Sequence, residues 1–414
     1  MNSNARETVR GKVKTMKVKT IRWAFAGVGG RGRGLMRTTL GMGGVEARAV
    51  YDPNPDNLLR ALDVAEEALG KRPEGYSAGP DAYERLLARD DVDAVLIASP
   101  VPLHAPMATA ALRAGKHVLS EVGAAVTIEQ CWDLVHAAEE SQRIYMLAEN
   151  ACYIRNNLVI LEMVRKGVFG DLTYAEGGYV HDLRSGLFRA DGSLTWRGEL
   201  AQNAGNWYPT HPMGPVSQWL GVNRGDRLVS LVSLSSREAG ASHLARQKLG
   251  VEKAAGLGFA NDSNNTLIRT AKGALIDLRF DVSSARPCLS TMHLTLQGTT
   301  ASYDSRDANS KIWIEGRTEG HTWEPLSEYA EEFEPALWRK WGEEAKKTGH
   351  GGADFFSISE FLDVVRTGRP SPIDAVDAAT WSCITPLSAA SAAAGGQPRE
   401  IPDFTQGSWN KRRD

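Results

Sequence analysis

A glycine-rich turn, Gly27-Val28-Gly29-Gly30-Arg31-Gly32, follows directly on the apolar run TIRWAFA (20–26), and it constrains the chain more than any other feature. The motif G-x-G-x-x-G is weak alone, but its setting is specific. The run before it reads as a buried strand and the residues after it open a helical period. Asp52 ends a second strand, VEARAVY (45–51), twenty residues beyond Gly32. In such a unit Gly27 permits the tight turn, Gly29 lets the backbone approach a pyrophosphate, and Gly32 lets the helix pack on the strand. The helix N-terminus offers free N–H groups to phosphate. Gly30 and Arg31 belong to the same candidate loop, although a solvated loop arginine fits Arg31 equally well. Asp52 can accept hydrogen bonds from both ribose hydroxyls and repels a 2′-phosphate, which favours NAD over NADP.

The pattern continues with VDAVLIAS (92–99), KHVLSE (116–121) and RIYMLAE (143–149), apolar runs separated by helical periods, one opened by the capping pair Thr127 and Gln130. Continuous apolar strands between helices predict a parallel sheet covered on both faces. Ser99, His104, Glu121 and Asn150 fall at or just beyond the carboxyl ends of these strands, the rim where such folds bind ligands, and are further cofactor-site candidates. For Glu121 a buried salt bridge or helix cap fits as well. After about residue 170 the strands lengthen and alternate, and Lys272-Gly273 marks a hairpin between NNTLIRT and ALIDLRFDVSS. The fold class is therefore α/β. A flexible tail (1–19) precedes a Rossmann-like parallel-sheet domain (20–150). A C-terminal α+β domain (151–414) with a large, predominantly antiparallel, open sheet completes the chain, and the open face suggests a homo-oligomer, a dimer or higher.

Length and composition agree. A chain of 414 residues exceeds a single core of ~250–300 residues. Its 48 Lys+Arg against 50 Asp+Glu give no electrostatic reason to expect a nucleic acid or membrane partner. No run approaches a membrane span, and the basic N-terminus has no apolar core of a secretory signal. Cys131, Cys152, Cys288 and Cys383 are widely spaced, which fits reduced thiols in a cytoplasmic protein and no metal site. Nine of the 11 Trp lie after residue 195, marking either a large core or a platform for sugars.

Two polar clusters stand in the second half. Tyr179 and His181 share one face of a strand and can serve as a proton-transfer pair. Asn206 to Pro215 contains Trp207, Tyr208, His211 and three prolines, which predict a rigid loop or helix start. By spacing alone, core histidines and loop aromatics fit both clusters as well as catalysis does. No Ser-His-Asp order, HExxH or carboxylate pair stands out.

Gly27–Gly32, Asp52, the run DAYERLLARDDVDAVLIASPVPLHAPMATAALRAGKHVLSE and the two-domain layout resemble the Gfo/Idh/MocA oxidoreductase superfamily. Within it, EGGYVHDLR (176–184), NWYPTHPMGPVSQWLGVNRGDRLVSL (206–231), GHGGADFF (349–356) and DAVDAATWSCITPLS (374–388) resemble glycoside hydrolase family 109, the NAD-dependent α-N-acetylgalactosaminidase group. The resemblance implies a redox glycosidase, in which the sugar is oxidised at C3, loses its C2 proton, eliminates the aglycone from C1, takes up water and is reduced again. By the same resemblance Tyr179 is the base near C2 and His211 takes the C3 hydroxyl proton, with His181 orienting Tyr179 or the cofactor. Arg197 and Tyr208 would hold the sugar, and Trp207 and Arg184 would line its pocket. A Tyr base needs its pKa lowered by a neighbouring cation. The chain departs from the family pattern at Gly123, Pro212 and Val101-Pro102-Leu103, all at the rim of the pocket, which widens the choice of sugar from N-acetylgalactosamine to other hexoses such as sulfoquinovose. Arg184, Arg189 and Arg197 are candidates for an anionic substituent. A plain sugar or inositol dehydrogenase is the alternative; such enzymes usually carry Lys after the glutamate, where this chain has Val122.

Overall fold

A computed structural model describes residues 19–286, 291–306 and 309–411. Residues 1–18 of the N-terminal tail and Cys288, both subjects of sequence expectations, lie outside them. The first sheet contains β1 (Ile21–Ala26), β2 (Val45–Tyr51), β3 (Glu74–Tyr76), β4 (Ala94–Ile97), β5 (His117–Ser120) and β6 (Tyr145–Leu147). They pair in parallel in the order β3-β2-β1-β4-β5-β6. Helices cover both faces, so β4 is buried at every position and β1 at all but Arg22. The strand order reverses between β1 and β4, and the loops leaving their carboxyl ends form the crevice where this architecture takes ligands.

The second sheet is built from β7 (Leu172–Val180), β8 (Leu228–Ser235), β9 (Ser263–Thr270), β10 (Leu275–Asp281), β11 (Thr291–Gly298), β12 (Ala301–Asp304), β13 (Lys311–Ile314), β14 (Glu324–Pro325) and β15 (Arg399–Glu400). Its order is β14-β13-β12-β11-β7-β10-β9-β8-β15. Every pair is antiparallel except β7 with β10, which run parallel at its centre. The expected hairpin joins β9 to β10, with Gly273 at φ 95°. One face is buried through Ile276, Leu278, Phe280, Leu294 and Leu296, whereas Leu234, Leu267 and Leu275 on the other are exposed. That open face matches the sequence expectation.

One contact fixes the geometry of the second domain. The helix Thr210–Leu220 lies on the buried face of β7, where a Cβ on Gly177 would stand 2.9 Å from Pro212 Cβ. Only glycine admits so close an approach, and it brings the first turn of the helix beside Tyr179. The proline-rich segment is thus a helix start, with Pro209 at its N-cap and Pro215 within it. Among the described residues no helix is long and apolar enough to cross a membrane, and no cluster of metal-ligating side chains occurs. Cys131, Cys152 and Cys383 are buried free thiols.

Candidate functional site

The glycine-rich turn has the shape a dinucleotide needs. Gly27 sits at φ 80°, and a Cβ there would meet Ser99 N at 2.4 Å; a Cβ on Gly32 would meet the Gly27 carbonyl oxygen at 2.0 Å. Both are backbone collisions, so the turn closes only with glycine. At Gly29 and Gly30 a Cβ would meet nothing within 4 Å, so the turn faces open space there. The helix Gly30–Leu40 begins without a side-chain cap, which leaves its first N–H groups for an anion. Asp52 is buried and accepts from Val28 N and Asn54 N at 2.9 Å each, one per carboxylate oxygen, so each oxygen keeps acceptor capacity. Ser99 Oγ, at the mouth of β4, is buried with no partner among the described residues. These features fit NAD.

Other rim candidates are already engaged. Arg31 donates to Glu121 Oε1 (2.8 Å) and, through both terminal nitrogens, to Asp354 (2.5 and 2.9 Å). Asn150 donates to the same Asp354 carboxylate at 2.9 Å, and His350 Nδ1 lies 3.0 Å from it. Arg31, Glu121 and Asn150 therefore tie the glycine-rich loop and the β5 and β6 rims to the helix Ala353–Thr367, instead of pointing free into the crevice. His104 is fully buried, with Nδ1 2.9 Å from the Gly123 carbonyl and Nε2 2.7 Å from the Ser99 carbonyl, so it braces two rim loops. Burial alone pushes Asp354 up, but hydrogen bonds from His350 and Arg31, the Arg31 charge and the Asn150 amide outweigh it and hold the carboxyl well below its usual range. Its contribution to stability is therefore complete above about pH 4, the usual carboxylate value, and is lost as pH falls toward the depressed folded value. Asp354→Ala should cost about 2–3 kcal/mol at pH 7, less than a fully buried pair because Arg31 is partly solvated. Urea unfolding from pH 7 to pH 3 checks this, since the gap from the parent protein must shrink with acid.

The second half of the site is an aromatic and imidazole cluster. Tyr179 on β7 has ring centroids 5.3 Å from Tyr208, 5.4 Å from His211 and 5.5 Å from His181. His211 Nδ1 lies 2.7 Å from Glu149 Oε1, which also accepts from Ala151 N. With Nδ1 held against a carboxylate, Nε2 is the nitrogen left for a ligand. Burial pulls the imidazolium down, but the Glu149 charge and hydrogen bond, with Glu121 behind them, prevail and raise His211 above its usual value. Burial pushes Tyr179 up to about 12; Arg197 pulls it back in part and Glu149 adds to the rise. The lowering that a Tyr base needs is therefore not what the surroundings produce, because desolvation exceeds the Arg197 charge. Burial, His211 and Arg197 hold His181 below its usual value. Glu149 Oε2, His181 Nδ1, Asn206 Nδ2 and Thr210 Oγ1 are buried with no partner among the described residues, an unusual concentration of unused hydrogen-bonding capacity.

Arg197 lies over the Trp196 ring at 4.2 Å, within electrostatic reach of Tyr179 and His181. Trp207 is buried edge-on against Phe280 and Tyr208, so it supports the cluster from behind and offers no open face. Arg184 folds back onto Asp182 through two hydrogen bonds of 2.9 and 2.7 Å and makes no described contact with the cluster. The two halves meet where Glu121 influences His211 and Tyr208, and where a Cβ on Gly123 would stand 3.8 Å from Thr210 Cγ2. Sequence reasoning did not single out Glu149 or Asp354. Glu149 lies just past the end of β6, so the strand-end rule that flagged Asn150 reaches it too.

Known proteins share both halves. Residues 21–149 match the family model for the oxidoreductase family NAD-binding Rossmann fold, and residues 153–411 match the glycosyl hydrolase 109 C-terminal domain. A glycosyl hydrolase family 109 protein of Solibacter usitatus is 41% identical over 402 residues, 95% of this chain and 90% of that protein. An alpha-N-acetylgalactosaminidase of Bacteroides fragilis is 38% identical over 408 residues, 94% and 93% of the two chains. Levoglucosan dehydrogenase, solved in complex with NADH, superimposes with TM-score 0.70 over 93% of this chain and all of that one, at 19% identity, and so shares the fold. An N-terminal NAD-binding Rossmann fold joined to this C-terminal domain, in a chain alike over nearly its whole length, places the protein in glycosyl hydrolase family 109.

Proposed function

We propose that the enzyme hydrolyses a terminal glycoside by transient oxidation at C3. The observation that carries this reading is the Glu149–His211 pair facing Tyr179 at the rim of the nucleotide crevice. NAD bound there supplies a hydride acceptor and later a hydride donor. His211, with Nδ1 fixed by Glu149, takes the C3 hydroxyl proton on Nε2. The resulting 3-keto sugar has an acidic C2–H, because the carbanion left behind is an enolate. Tyr179, with His181 beside it, is the C2 proton carrier, and Arg197 supplies the positive charge that opposes its burial. The C1–O bond then breaks with departure of the aglycone, water adds at C1 as a proton returns to C2, and the C3 carbonyl is reduced. The balance is hydrolysis with no net oxidation. This route needs no carboxylate pair flanking the glycosidic bond.

In this reading residues 20–150 hold NAD through Gly27, Gly29, Gly30, Gly32, Asp52 and Ser99, and residues 151–414 hold the sugar through Arg197 and Tyr208. N-acetylgalactosamine is the first sugar to try, given the Bacteroides relative. Arg197 favours an anionic hexose as a second reading. Arg184 is spent on Asp182 and Arg189 on Ser193 and the Leu194 carbonyl, whereas Arg197 has no carboxylate partner among the described residues. The exposed sheet face with Leu234, Leu267 and Leu275 supports a homo-oligomer, and the buried free thiols are in keeping with a cytoplasmic setting.

The test is a panel of p-nitrophenyl glycosides, amino and sulfonated sugars included, incubated in D2O without added cofactor. Nitrophenol should be released with no net rise at 340 nm, and the product sugar should carry deuterium at C2. NADH formed on adding the free sugar, with no aglycone released from any glycoside, sinks the proposal in favour of a dehydrogenase.

A further inference from the structure

A second cavity lies at the end of the helix Thr210–Leu220 away from His211. Its volume is about 860 Å³, within the range of small-molecule sites. Ser217, Gln218 and Gly221 line one side, and Arg369, Pro370 and Ser371 another. Ser217 is about 9 Å from His211 along the helix axis, at ~1.5 Å per residue. None of the residues assigned above to NAD or the sugar lines it.

Three lining side chains carry a buried polar atom with no hydrogen-bond partner among the described residues: Ser217 Oγ, Ser371 Oγ and Trp381 Nε1. Ser217 and Trp381 are each 1% exposed. Buried polar atoms are nearly always paired, so three orphans around one cavity point to something that fills it. All three can donate: the indole N–H only donates, and each hydroxyl has a proton to give as well as lone pairs that accept. Arg369 gives Nε to Asp363 and Nη2 to Glu360, and its Nη1 donates to nothing described. The lining acids are already used: Glu360 accepts from Arg369, and Asp374 accepts from Val376 N and Asp377 N as a helix cap. What the cavity offers is unused donors, Arg369 Nη1 among them, within walls that include Leu161, Val222 and two prolines.

We propose that this cavity is a second binding site, for a small organic molecule bearing an oxyanion, a carboxylate or a phosphate. The oxyanion takes the Ser217, Ser371 and Trp381 donors and Arg369 Nη1, and the apolar walls take the carbon skeleton. Trp381 also connects the two sites, since a Cβ on Gly214 would stand 3.5 Å from its ring and 2.8 Å from Glu149 Cγ.

The test uses the NAD-loaded protein, so that the nucleotide crevice is filled, and titrates inorganic phosphate and citrate calorimetrically against a sodium chloride control of matched ionic strength. Saturable one-to-one binding of at least one probe is expected, and the probe that binds tells phosphate from carboxylate. Ser217→Ala and Trp381→Phe should each weaken it about tenfold, the loss of one hydrogen bond to a charged group. Without probe, Ser217→Ala/Ser371→Ala should melt no lower than the parent, because removing an orphaned hydroxyl costs little. If Trp381→Phe does not fold, the double serine variant decides. Failure of both probes to bind, showing that the cavity holds only water, overturns the proposal. So does binding that the double serine variant leaves unchanged.

Discussion

Gly29→Ala should yield a folded protein without NAD. The substituted Cβ meets no protein atom within 4 Å, and Gly29 has φ −59°, which any residue adopts. Melting temperature should stay within a few degrees of the parent. The methyl instead enters the space a pyrophosphate occupies against the loop, so nucleotide released on denaturation should fall at least tenfold. Gly27→Ala and Gly32→Ala should fail differently. Their Cβ atoms strike backbone at 2.4 and 2.0 Å, and Gly27 also has a positive φ, so the turn must deform and stability falls by several kcal/mol. Gly34, exposed in the same helix with nothing within 4 Å, is the control: Gly34→Ala should keep its NAD and gain up to about 1 kcal/mol from helix propensity. The measurements are bound nucleotide per chain and thermal melting. A Gly29→Ala protein with full nucleotide content would show that the cofactor does not use this loop.

The contrast between these glycines explains how much of the molecule could be read before the fold was seen. The nucleotide loop, the order of buried strands and the hairpin at Gly273 follow from local rules of turn geometry and apolar periodicity. The edge strand β3 did not stand out, because three residues, Glu74 and Gly75 exposed and Tyr76 half-buried, carry no period. The parallel pairing of β7 with β10 was equally hidden, since nearly a hundred residues separate them and strand composition does not record direction. The apolar stretch 374–393 folds as two helices, Ala375–Ser382 and Ile384–Ala393, with Pro386 in the first turn of the second, where its missing N–H is harmless. In the site, Tyr179, His181, Tyr208 and His211 announced themselves as polar or aromatic residues in unusual runs. Glu149 and Asp354 did not, because each acts through a partner 62 or 323 positions away. The same blindness affects charge. Arg31 and Arg184 read as free cations in sequence, and each is held by a carboxylate in the fold.

Tyr179→Phe should abolish turnover while leaving the protein folded and NAD-bound. The substitution removes one hydroxyl and keeps the ring packed among Tyr208, His181 and His211, so stability should change little. A proton carrier in the reaction contributes about 10²–10⁴-fold, and the loss should fall on kcat with little change in KM. Deuterium incorporation at C2 of the sugar should disappear with it. Glu149→Gln tests the other arm and reads out differently. In the parent, the base form of His211 dominates only above a pKa raised beyond the usual 6.5 or so, so kcat/KM should rise with pH through a value above that figure. Removing the Glu149 charge leaves burial as the dominant influence, which pulls the imidazole down. The rising limb should therefore move to lower pH, while the plateau falls because the ring loses the partner that fixes Nδ1. Unchanged kcat in Tyr179→Phe, or a pH limb that stays in place in Glu149→Gln, would remove the assigned group from the mechanism. A shifted limb with a lowered plateau is a signature that loss of packing alone does not produce.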